Sequence, residues 1–564
     1  MTGSTARPQI KNTTKRRTTV NKTFVSFLSP VVLKAYLHDT KEIALLDVRE
    51  YGQYGEGHLF YAVNTPYSKL EDEVVRLAPR KNVRMVLIGD ENDILSIKAH
   101  RRLTEIGYTN VHILKGGIAA WKHAGYEVFA GVNLPSKTFG ELAEHVFNTP
   151  KITAAELNEK ILNKEDMVIL DGRPFQEFKK MSIPTAMCCP NGELALRIDD
   201  IVHTPDTTIV VNCAGRTRSI IGAQTLINLG LPNKIYALEN GTQGWFLADL
   251  ALDNGKTNTH ALAVNEKDLS LRRERAHLLA RKHNVPFVNS ETVEAWLKQQ
   301  DRSTFLCDVR TIEEFTQYSL PGAQHTPGGQ LVQATDQFIG VRGARLVLFD
   351  QEGVRAPAVA SWLAMLGWDV AVWIGALEHA WTTEHTLAQQ AIPATDLIEN
   401  QHIDVQNISS EEILQYLQRK PDDVSILDMR SSMKYRDGHI QNSIWTTRSQ
   451  LDTHKEHIND RVIIAIADDE CTVKCAAKEL REWGAKRIWV NLDSPIQWTQ
   501  AKLTVEITPE LPPNEECIDY LFFVHDRHDG NKVAAREYLA WETNLLSQID
   551  EQEKSAFKLP KVIG

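Results

Sequence analysis

An apolar run closing on Asp-x-Arg occurs four times in this chain: ALLDVRE (Asp47, Arg49), VILDGRP (Asp171, Arg173), FLCDVRT (Asp308, Arg310) and SILDMRS (Asp428, Arg430). Each is followed by a second strand-like run, RMVLIGD, TIVVNCAG, RLVLFDQ and VIIAIAD, and then by a helical stretch ending near Gly107, Gly230, Gly367 or Gly484. A further short strand and a Trp close the unit, at Trp121, Trp245, Trp381 and Trp498. The Asp-to-Trp separation is 74, 74, 73 and 70 residues, so the four segments are copies of one structural unit.

The strands of each copy are continuous apolar runs (IALLD, MVIL, TIVVN, VIIAIA) rather than apolar–polar alternations. Parallel strands covered on both faces read that way. The fold class is therefore α/β: four tandem units, each a small parallel sheet flanked by helices, with a helical C-terminal tail. The spacings predict a disordered basic tail at 1–24, units at 25–140, 150–255, 285–392 and 405–505, a linker helix at 256–284 and the tail at 506–564. Composition sets bounds on function. A net charge of −10 argues against a dominant nucleic-acid surface, and apolar stretches of about six residues are far short of the roughly 20 a membrane span needs. Seven cysteines in 564 residues do not make a disulfide scaffold, which fits a cytoplasmic protein.

In sheets of this kind ligands bind at the carboxyl ends of strands. Counting 17 residues back from each helix-ending glycine reaches Asp90, Cys213, Asp350 and Ala467, so one copy alone places a nucleophile there. Its loop runs Cys213, Ala214, Gly215, Arg216, Thr217, Arg218, Ser219 and enters a helix at once. Unpaired backbone amides, the positive helix end and two guanidinium groups all favour a thiolate over a thiol. The same amides suit a negatively charged sulfur adduct.

These motifs together resemble the rhodanese family of sulfurtransferases: Asp-x-Arg after the first core strand, a Cys-headed six-residue loop before a helix, and a late Gly–Trp element. CAGRTRSIIGAQTL, with MSIPTAMCCPNGELALR upstream, is similar to bacterial multi-domain members. The resemblance implies double displacement through a persulfide on Cys213, with thiosulfate or 3-mercaptopyruvate as donor and a thiol or cyanide-like group as acceptor. Thiosulfate is favoured, because Arg216 and Arg218 suit a doubly charged anion. Residues 214–219 are expected to bind the donor, with no metal or organic cofactor, nucleic acid or membrane involved. Related phosphatases place a phosphate-gripping Arg at the sixth position after Cys, where this chain has Ser219. The alternative is a non-catalytic scaffold or sulfur-relay module binding a partner protein, since three of the four copies lack the nucleophile.

Other candidates read as structural. Asp-x-Arg persists in copies without a nucleophile, so Arg173 is expected to serve a domain-internal ion pair or a strand-end hydrogen bond. Cys188 and Cys189 are adjacent on a strand and point to opposite faces, which favours core packing over a resolving thiol. Cys471 and Cys475 lie at i, i+4 on a helix with no His at ligand spacing. Glu193 aligns with Lys69, Gln330 and Gln450 and is a candidate for the pocket wall. The 525–529 cluster (HDRHD) either binds a metal or covers the active loop, or is a turn that caps the next helix.

Overall fold

The computed structural model describes residues 25–261, 263–375, 377, 405–528 and 531–560. The basic segment 1–24, Trp381 and Asp529 lie outside the described residues. Four five-stranded parallel sheets repeat one order, in which the strands of each unit, numbered along the chain, lie side by side as 1-5-4-2-3. In the second unit the order is Lys151–Ile152, Ile235–Leu238, Thr208–Asn212, Met167–Asp171 and Met187–Cys188.

Met85–Ile88, Arg345–Phe349 and Val462–Ile466 are buried throughout, and Thr208–Asn212 is buried from Ile209 on, as their unbroken apolar sequences require. Side chains alternate between two cores. Val210 packs with Leu157, Ile169 and Trp245 on one face, while Ile209 and Val211 pack with Leu170, Leu194 and Leu226 on the other. Cys188 and Cys189 divide between the same two cores. Burial pushes the Cys188 thiol up to about 12 and raises that of Cys189 as well, so both are packed, protonated thiols.

Each Asp-x-Arg closes on itself. Arg173 Nε and Nη2 donate to Asp171 at 2.9 and 2.7 Å, and Nη2 also donates to the Met181 carbonyl at 2.6 Å. Arg49, Arg310 and Arg430 repeat the arrangement on Asp47, Asp308 and Asp428, each reaching the carbonyl eight residues on from itself. The motif is a buried strap that ties the end of a strand to the loop beyond the next helix.

Sheet register fixes which residues correspond. Asp47, Asp171, Asp308 and Asp428 stand beside Ile88, Asn212, Phe349 and Ile466. The next residues are Gly89, Cys213, Asp350 and Ala467. The first unit therefore presents Gly89 where residue counting gives Asp90, because its following loop is one residue longer.

Three seams join the units, and at the one between the first and third Ile43 and Arg342 exchange backbone hydrogen bonds at 3.2 and 2.9 Å. Between the first and fourth, Arg448 is buried and donates to Glu71 at 2.5 and 2.8 Å and to Glu479 at 3.3 Å. Between the second and third, Arg355 meets Glu193 at 3.0 Å, Trp362 donates to Thr225 at 2.8 Å, and a Cβ on Gly192 would stand 2.7 Å from the Gly329 nitrogen. Glu193 thus belongs to this seam, where it also pairs with Arg197, and not to the wall of the pocket. The tail opens with short turns and then forms the Lys532–Gln548 helix, which packs on the second unit's approach helix, Leu134–Phe147.

Candidate active site

Cys213 follows the last residue of a central strand and precedes the Thr217–Asn228 helix. Its residue surface is 2% exposed. Two backbone bonds stitch the loop to the Gly241–Leu247 helix, from Thr242 N to Cys213 O at 2.8 Å and from Gln243 N to Ala214 O at 3.1 Å. Gly241 takes φ +53°, and a Cβ there would stand 2.2 Å from the Cys213 oxygen, so the late glycine is demanded by close approach. Ser219, one turn into the helix, donates its hydroxyl to Cys213 Sγ at 3.1 Å.

In the third unit the same loop geometry holds a carboxylate of its own. Asp350, at the Cys213 position, accepts from the amides of Val354, Arg355 and Ala356 at 3.0, 3.1 and 3.1 Å. The corresponding residues of the second unit are Thr217, Arg218 and Ser219. In the silent copy the cradle is filled by the chain's own carboxylate. In the fourth unit Asp469 caps its helix through Thr472 N at 2.8 Å.

Both loop arginines are tied by carboxylates. Arg216 donates to Glu141 at 2.7 and 3.0 Å and also pairs with Glu144, both from the approach helix. Arg218 donates to Glu177 at 2.8 and 2.9 Å and reaches Gln330 of the third unit at 3.4 Å. Arg355 and Glu314 repeat the Arg218–Glu177 pair in the silent third unit, at 2.7 Å for both bonds. Burial opposes the charge on Arg218, but Glu177 outweighs it and keeps the guanidinium firmly protonated. Glu141 is different: burial lifts its pKa to about 7 despite Arg216.

The loop opens on a cleft of about 330 Å³ whose walls come from four parts of the chain. Residues 213–218 form the floor. Tyr51 and Lys137 enter from the N-terminal side, Gln330 and Gln333 from the third unit, and His525, Arg527, Tyr538 and Glu542 from the tail. Ser219 is the one predicted loop residue outside the wall, facing the sulfur from below. His525 and Arg527 place part of the HDRHD cluster at the cleft, and Asn531 caps the following helix through the Val533 and Ala534 amides. Lys137, Glu141, Gln330, Tyr538 and Glu542 carry no motif and lie far from Cys213 in sequence, so only packing reveals them.

A family model described as the rhodanese-like domain matches residues 29–124, 153–248 and 291–383, about half of the chain. The chain belongs to the rhodanese-like domain family. Its structure is similar to the crystal structure of thiosulfate sulfurtransferase from Pseudomonas aeruginosa, with a TM-score of 0.85 and 34% identity, covering 95% of this chain and all of that one. A stretch of 103 residues is 26% identical to YrkF of Bacillus subtilis (strain 168), a protein named for a sulfur-carrier role. That match spans 18% of this chain and 54% of the relative. Among the described residues no helix is long and apolar enough to cross a membrane.

Proposed function

We propose that this chain is a rhodanese-type sulfurtransferase with one working site, at Cys213, that takes sulfane sulfur from thiosulfate. The Cys213 thiolate attacks the outer sulfur, the donor S–S bond breaks, and sulfite leaves with the electron pair. The resulting persulfide waits on the amides of residues 217–219 until a thiol or cyanide-like acceptor attacks its outer sulfur. The bonding pair then returns to Cys213 Sγ. No step in this cycle calls for a metal or an organic cofactor.

The observation that carries this reading is the Asp350 carboxylate on three amides of the sister loop. It supports reading the cradle as an anion site, with Cys213 at the equivalent register position in the second unit. Similarity to a thiosulfate sulfurtransferase over 95% of the chain supports thiosulfate as donor. Seven cysteines without a disulfide among them suit a reducing, cytoplasmic setting. The units at 25–140, 150–255, 285–392 and 405–505 then divide the labour, the second holding the chemistry and the others walling and bracing it.

Intact mass after exposure to thiosulfate, before and after cyanide, tests the proposal. A gain of one sulfur that cyanide removes supports the enzyme. No adduct at Cys213 would favour the scaffold or relay module instead.

A further inference from the structure

Glu542, on the tail helix, is 2% exposed and sits against the middle and the end of the active loop. Its Oε1 accepts from Thr217 Oγ1 at 3.0 Å, at the first residue of the helix that follows Cys213. Its Oε2 lies 3.1 Å from where a Cβ on Gly215 would stand, so the carboxylate fills the space a side chain at 215 would need. That oxygen is buried and has no hydrogen-bond partner among the described residues, an arrangement that costs stability and calls for an explanation.

The carboxylate is itself fixed from a third direction. Lys137, on the approach helix, pairs with Glu542 Oε1 at 3.4 Å and with the Tyr538 hydroxyl. Burial opposes the Lys137 charge, but Glu542 and Tyr538 outweigh it and hold the ammonium protonated. The approach helix that supplies Lys137 also supplies Glu141 and Glu144, which grip Arg216. Residues 216 and 217 are thus held by charged groups of the approach helix and the tail, with Asn240 of the second unit accepting a further bond from Arg216 at 3.3 Å.

We propose that Glu542 is a positioning residue for the Cys213 loop: through Thr217 and Gly215 it holds the amide cradle in the shape that receives the sulfur adduct. The C-terminal segment is then part of the active site, and the second unit is not a self-sufficient enzyme. This inference rests on the persulfide reading of Cys213, which the wild-type mass gain tests separately. A wild-type chain that takes up no sulfur removes that reading. The comparisons below apply to a wild-type chain that loads.

The test uses the full chain in thiosulfate-to-cyanide transfer, with Glu542→Gln, Glu542→Leu and Thr217→Val. Glu542→Leu keeps bulk but no acceptor and should lower kcat more than fivefold while KM for thiosulfate changes less than threefold. Glu542→Gln keeps an acceptor for Thr217 and should recover kcat to within threefold of wild type. Thr217→Val should slow the wild-type enzyme yet change the Glu542→Leu variant less than twofold, because the contact is already gone. A Leu variant within fivefold of wild type, a Gln variant as slow as Leu, or losses that multiply would each overturn the proposal. Should Glu542→Leu fail to fold, Thr217→Val and its double variant with Glu542→Gln decide: the proposal then requires a slow Thr217→Val enzyme of unchanged KM.

Discussion

Cys213 and Asp350 occupy the same register position in neighbouring sheets, each one residue beyond the end of a strand that pairs with the Asp of Asp-x-Arg. One copy places a cysteine sulfur at this position, and the other closes its cradle with its own carboxylate. Two substitutions at one site follow from this. Cys213→Ser should abolish sulfur transfer with the fold intact. Cys213→Asp should also be inactive but more stable, by about 0.5–2 kcal/mol, the usual worth of a capping side chain at a helix N-terminus. Mass after thiosulfate and thermal melting of both variants check this. Activity above a few per cent in either would end the single-site claim.

Arg218 is expected to act as a brace rather than as a donor-specific contact, because Glu177 takes two of its bonds and the same pair recurs without a nucleophile at Arg355 and Glu314. A charge-assisted hydrogen bond is worth about 1.5–3 kcal/mol, or about 10- to 150-fold in rate. Arg218→Ala should therefore lower kcat/KM at least about tenfold, and equally for thiosulfate and 3-mercaptopyruvate. Steady-state kinetics on both donors at fixed ionic strength would show it. A loss confined to thiosulfate would put Arg218 on the substrate.

Glu141 gives the loop a pH dependence. Its pKa in the folded chain is about 7, raised by burial from the ordinary carboxylate value of 4.5 against the pull of Arg216. Between those values the folded state keeps a proton that the unfolded chain has lost. This group's contribution to stability therefore falls as pH rises from 4.5 to about 7, and is level above and below that window. The charged Glu141–Arg216 pair forms over the same range. Glu141→Gln should flatten the melting temperature against pH across this interval. Identical profiles for variant and wild type would refute the assignment.

Arg448 answers two buried carboxylates at the seam between the first and fourth units, Glu71 and Glu479. Replacing it strips Glu71 of its guanidinium and leaves Glu479 with Arg102 alone, at 2.8 Å, and breaking a buried pair in this way costs about 3–5 kcal/mol. Arg448→Met should therefore lower thermal stability and release the fourth unit to limited proteolysis before the others. A melting point and digestion pattern like those of the wild type would show that the seam is held by its apolar contacts instead.

Most of the fold was legible because its signals are local. Asp171 and Arg173 are two residues apart, and their strap to Met181 spans eight more, so the same bonds recur wherever the motif does. Apolar runs such as TIVVN announce a strand covered on both faces, and the helix that follows within a few residues announces the loop. Counting residues misplaced one correspondence, Gly89 against Asp90, because only hydrogen-bonded register detects an extra loop residue.

The amino-acid sequence by itself determined the four-fold α/β repeat, the internal role of each Asp-x-Arg, and the single loop that starts with a cysteine. Tertiary structure alone decided what surrounds that cysteine. Glu193 looked like a wall residue and became a seam residue because Arg355 of the next unit meets it. Arg216 and Arg218 looked available to a substrate and proved to be gripped by Glu141, Glu144 and Glu177. Glu542 reaches Thr217 across a sequence separation of 325 residues. No periodicity or spacing encodes such a contact, because it exists only once separately folded units have packed and buried their charges against one another.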